Sequence, residues 1–139
     1  MAFMHERIAI MARPVSTQPT DVELQILRIL WEHGPAMVRE IHIRLGKIKE
    51  TNYATTVKML VVMLEKKLVS RDDSIRPQVY RAAVTQNNTQ RKMMNDLVRK
   101  VYDGSTTSLI MQALSSNKAS HEDLSEIRRM LDALEGDKK

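Results

Sequence analysis

The chain has 139 residues, 42% of them hydrophobic but only 4% aromatic, so one or two small domains with an aliphatic core are expected. It has no cysteine, which excludes a disulfide framework, thiol redox chemistry and cysteine-based metal sensing. No run of 18 apolar residues occurs, so no transmembrane helix is expected, and the charged start MAFMHERIAIMARP does not read as a signal peptide. A cytoplasmic protein is the expectation. The net charge is +5, and the excess lies mainly within residues 20–84, a balance that permits nucleic-acid contact without proving it.

Residues 1–19 show no steady period and end in Pro14, Ser16, Thr17 and Pro19, as in a flexible N-terminal arm. Met11 is a second plausible start. A first helix opens at Thr20, which stands at capping-box spacing from Glu23. Leu24, Leu27, Leu30 and Trp31 recur at helical spacing, and Gly34-Pro35 stops the helix. A short second helix carries Val38, Ile41, His42 and Leu45 and ends at Gly46. A third follows, capped by Thr51 or Asn52. Its expected inner stripe is Val57, Leu60, Val61, Leu64 and Leu68, with Thr55, Lys58, Met59 and Val62 opposite.

The period then changes from helix to strand. Residues 68–71 and 78–84 alternate and are rich in β-branched side chains, with DDSIRP between them, so a hairpin with a long loop is expected. Pro77 suits the start of an edge strand. Beyond Thr85 the pattern is helical again. Its stripes contain Met94, Leu97, Val98 and Val101, then Leu109, Ile110, Ala113 and Leu114, then Leu124, Ile127, Leu131 and Leu134.

Three short helices and a hairpin are the order of a winged helix-turn-helix. The expected fold is mainly α with a small β-hairpin: a winged helix-turn-helix domain over residues 20–85 and a helical dimerisation region over 86–136. A DNA major groove about 12 Å wide admits one helix. On the third helix, Thr55, Thr56, Lys58 and Met59 are expected to face DNA, with Asn52 and Tyr53 at its N-terminus, where the dipole favours a phosphate. Arg76, at the hairpin tip, is the expected wing contact. The alternatives are an ordinary exposed helix and a solvated charged turn beside Asp72 and Asp73. The C-terminal stripes cannot all be buried on a small winged domain. Leu97, Val101, Leu109, Ile110, Leu114, Leu124, Ile127, Leu131 and Leu134 are therefore the expected homodimer interface, against the alternative of an intramolecular bundle.

Catalysis is not expected. His5, His33, His42 and His121 are scattered, no glycine-rich phosphate loop occurs, and no metal site or cofactor is indicated. His42 reads as a core or boundary histidine rather than a ligand. A winged helix that binds protein instead of DNA is the alternative function.

The runs TDVELQILRILWEHGPAMVREIHIRL, YATTVKMLVVMLEKKLV, QVYRAAV and VRKVYDGSTTSLIMQAL resemble the penicillinase-repressor (BlaI/MecI) family over about residues 20–135. The ILW, TTVK and LEKK segments are the more specific parts. The resemblance implies a bacterial homodimeric repressor on double-stranded, palindromic operator DNA, with contacts at Thr55, Thr56 and Lys58. Relatives that sense copper use a C-terminal cysteine cluster, which is lacking here. The family usually has a glycine after the two lysines ending the third helix; here Leu68 follows Lys66-Lys67 directly, so a different entry angle for the wing is expected. Classical members are cut at an Asn-Phe bond in the dimer helices. The matching place is near Gln112-Ala113, where that bond type is not retained. The cleavage site is not carried over, and a regulatory protease as a further partner is left open.

Overall fold

The computed structural model describes residues 18–137, so all of the expected arm except Gln18 and Pro19 lies outside the described residues. Helix α1, Asp21–His33, begins with both halves of a capping box: the Glu23 amide donates to Thr20 Oγ1 (3.3 Å) and the Thr20 amide to Glu23 Oε1 (2.9 Å). It ends at Gly34, whose amide makes the last helical bond, to the Leu30 carbonyl, and whose positive φ of 84° turns the chain out of the helix. The buried face is formed by Ile26, Leu27, Ile29 and Leu30, while Leu24 and Trp31 sit half-buried on its flanks. Seven of the 13 positions are apolar, so the sequence pattern alone leaves the rotation of this helix loose.

Ala36 and Met37 form a two-residue strand, β1, that the sequence pattern does not announce, because two residues carry no alternation. Helix α2, Val38–Gly46, buries Ile41 and Leu45. Helix α3, Tyr53–Glu65, is capped by Asn52, whose Oδ1 accepts from the Thr55 amide at 2.8 Å. Strands β2, Val69–Asp72, and β3, Val79–Ala82, form the expected hairpin, and β1 adds to it on the far side of β3. The sheet is antiparallel, with Arg71 opposite Tyr80 on one side and Ala36 opposite Tyr80 on the other. Tyr80 and Val69 turn inward and join the aliphatic core of α1, α2 and α3. Trp31 closes the edge of this layer by donating from Nε1 to the Val84 carbonyl at 2.9 Å.

Helices α4 (Gln86–Val101), α5 (Thr106–Ser116) and α6 (His121–Asp137) follow. Thr85, Ser105 and Ser120 each accept from the amide three residues on, at 3.0–3.1 Å. The fold is mainly α, with six helices and one small three-stranded sheet among the described residues. The chain divides into two compact units between Met93 and Met94, inside α4. The first unit holds the core just described. In the second, α5 has no buried residue, and Val101, Met111 and Met130 are about two-thirds exposed, at 65%, 64% and 65%.

The end of α3 departs from the glycine stop of the family pattern. Lys67 itself adopts the left-handed conformation, with φ of 63°. The Leu68 amide then reaches back to the Met63 carbonyl and the Lys67 amide to that of Leu64. This is a Schellman closure with a lysine where glycine costs least. Lys67→Gly is therefore expected to stabilise the protein by about 0.5–1 kcal/mol, read as a higher urea midpoint at unchanged slope. An unaltered or lower midpoint contradicts this account.

Candidate nucleic-acid interface

Helix α3 is set against α1 and α2 by three inward side chains, Thr56, Leu60 and Met63, all fully buried. One row on the opposite side runs through Ala54, Lys58, Val61 and Glu65, at helical spacing and all exposed. This phase corrects two expectations. Thr56, expected on the outer face, is buried, and its hydroxyl is hydrogen-bonded to His42 Nδ1 on α2 at 2.8 Å. Val61, expected inside, is 43% exposed. Apolar residues occupy so many positions of α3 that periodicity supports several rotations. The polar bond to His42 and the shape of the α1–α2 surface select one of them.

The remaining expected residues surround the N-terminal half of α3. Asn52 spends Oδ1 on the cap, where it also accepts from the Thr55 hydroxyl at 2.9 Å. Thr55 is half-buried, and Lys58 is exposed with no acidic partner among the described residues. Tyr53 is exposed, its ring set edge-on to His42 with centroids 5.5 Å apart. Met59 is half-buried against the core and lines a shallow groove of about 200 Å³ with Glu23, Thr55, Lys58 and Val62. Lys47 and Lys49, not singled out from the sequence, are exposed on the turn leading to Asn52 and likewise lack an acidic partner among the described residues. Helix-turn-helix topology was the signal for them, since it puts this turn beside the start of α3.

In the wing, Arg71 is engaged by Asp73 at 2.7 Å. Asp72 accepts from the Ser74 hydroxyl and amide, bonds that hold its carboxyl below the ordinary aspartate range. Arg76 projects from the tip, exposed and unpaired among the described residues. Asp73 is thus paired with Arg71 and Asp72 is hydrogen-bonded to Ser74, while Arg76 stands exposed at the tip.

A family model described as penicillinase repressor matches residues 19–133. The chain belongs to the penicillinase repressor family. A penicillinase repressor from Bacillus licheniformis is 21% identical over 122 residues, covering 88% of this chain and 95% of that protein. This chain is accordingly a bacterial DNA-binding transcriptional repressor, a regulatory protein. No helix among the described residues is long and apolar enough to cross a membrane.

In the second unit of this repressor, the expected interface residues are exposed or half-buried. Leu97, Val101, Ile110, Leu114, Leu131 and Leu134 are exposed, and Leu109, Leu124 and Ile127 are half-buried. A groove of about 470 Å³ lies between α5 and α6, floored by Ala113, Leu114 and Ile127. The Gln112-Ala113 bond lies inside α5.

Thr56→Val keeps the volume of the buried side chain but removes the partner of His42 Nδ1. It is expected to cost about 1 kcal/mol of folding free energy. Thr56→Ser, which keeps the hydroxyl, is expected to cost less than the valine variant. Equal urea midpoints for wild type and Thr56→Val would remove the hydrogen bond from this account.

Proposed function

We propose that this repressor acts as a homodimer on a near-palindromic operator, with α3 in the major groove and the wing on the flanking backbone. The observation that carries the reading is the outward row of α3. It presents Lys58, unpaired among the described residues, beside a side-chain-capped helix N-terminus that follows Lys47 and Lys49. Phosphates are drawn to such a terminus by its amides and dipole. In this reading Lys58 reaches a guanine edge or a phosphate. Tyr53, Thr55 and Asn52 Nδ2 hold the backbone at the entrance, Met59 borders the groove, and Arg76 contacts the flanking phosphates. Thr56 supports α3 from behind rather than touching DNA. The site of action is the cytoplasm, where bacterial DNA lies.

Dimerisation is supported by the second unit. Leu97 and Val101 on α4, Ile110 and Leu114 on α5, and Leu131 and Leu134 on α6 leave apolar area in water. A fully buried leucine gains about 1.5–3 kcal/mol over an exposed one, and a second copy offers matching stripes. Two-fold symmetry would then place two α3 helices about 34–36 Å apart, one turn of DNA. Exposed Val61 and Val62 favour a second reading, a winged helix that docks protein. Retention on heparin that is lost with rising salt distinguishes the DNA reading, and passage without retention at low salt favours the protein one.

Lys58→Ala is expected to weaken operator binding by about 1–3 kcal/mol if the lysine reads a base edge, measured by gel-shift titration; undiminished affinity excludes Lys58 from the interface. Leu131→Asp is expected to yield monomers with poor DNA binding. An unaltered dimer in sedimentation would contradict the interface.

A further inference from the structure

The outward side of α3 sets two exposed valines beside Lys58. Val61 is 43% exposed and Val62 37%, in a helix whose other side already fills the core. Ala54, Lys58 and Val61 lie at i, i+4 and i+7 on one row, and Val62 is four residues on from Lys58. From Ala54 to Val61 the helix rises about 10 Å, which spans roughly three base-pair steps of 3.4 Å. Glu65 ends the row, exposed at the C-terminal end of α3. An anionic side chain there repels phosphate, so the DNA-facing surface stops short of it.

In the major groove, thymine alone presents a methyl group, and an apolar side chain recognises it by contact. Valine is suited to this role because its β-branch leaves little χ1 freedom to lose. We propose that Val61 and Val62 are specificity-determining residues that pack on thymine methyls, on either side of the polar contact made by Lys58. The inference rests on the reading that α3 enters the major groove. Lys58 lies three and four residues before these valines, and Lys47 and Lys49 stand on the turn leading into α3; this positive charge favours DNA over an apolar protein groove.

The test uses the full chain and a duplex selected by it from a random-sequence library. Each thymine of the selected site is replaced in turn by deoxyuridine, which keeps base pairing and lacks only the methyl. Affinity is expected to fall about fourfold for each contacted methyl removed, the value of one buried carbon. Val61→Ala or Val62→Ala is expected to bind the thymine duplex more weakly and to lose the distinction between thymine and deoxyuridine at one position. Both valines are exposed and alanine is the better helix former, so folding of these variants is not at issue. Tolerance of deoxyuridine at every position by the wild type, or full discrimination retained by both variants, overturns the proposal while leaving the DNA reading intact. Failure to enrich any duplex, together with passage through heparin without retention, overturns the DNA reading itself and assigns the valines to a protein partner.

Discussion

Lys66 leaves the last turn of α3 and places its ammonium 2.7 Å from Glu23 Oε1, with 7% of the lysine and 6% of the glutamate side chain exposed. The same carboxylate oxygen accepts the Thr20 amide that starts α1, and the same ammonium donates to the Gln18 carbonyl at 3.3 Å. One buried charge pair therefore joins the beginning of the first helix to the end of the third. Burial of two charges is expensive, and apolar replacements of such pairs are often no less stable. What the pair provides is direction. A lysine paired with one buried carboxylate cannot slide along α1 without leaving a buried charge unpaired, a loss of several kcal/mol in comparable proteins, about 3–5.

The other end of α3 is held in a related way. Thr56 is fully buried and reaches His42 on α2, while Asn52 caps the helix from outside. Between these two polar anchors, Leu60 and Met63 supply the non-directional part of the packing. Hydrophobic burial alone leaves a helix as apolar as α3 free to choose among several rotations. Directional bonds at both ends select the one that turns Ala54, Lys58 and Val61 outward. Function on this surface depends on that choice, because a rotation of one residue, about 100°, would exchange Lys58 for a neighbour.

The two units differ in how far each satisfies its own apolar surface. In the first, three helices and the sheet enclose an aliphatic core closed by Tyr80 and Trp31. In the second, α5 and α6 are capped and well formed, yet their leucines and methionines stay largely in water. Local signals, a serine cap and i,i+3 pairs such as Arg129 with Glu126, are enough to draw the helices. They cannot enclose a core, because a narrow stripe on each short helix needs another stripe opposite it.

Much of this was legible in the residues themselves. The capping box of Thr20 and Glu23, the Gly34 stop and the alternation around Tyr80 are all local. Each acts through neighbours within a few positions, so the order of helices and hairpin follows from them. The candidate site was legible in part. Lys58 and Tyr53 stand exposed, and Arg76 is at the wing tip. Strand β1 was not legible, since its two residues become a strand only by pairing with β3. Nor was the left-handed Lys67, which stands where a glycine is the ordinary choice. By itself, then, the sequence determined which segments are helices and which form the hairpin, and that three helices and a wing occur in this order. The rotation of α3, with Thr56 inside and Val61 outside, was decided only by tertiary structure. Its cause is contact across 14 residues to His42 and across 43 to Glu23, which no local period can carry.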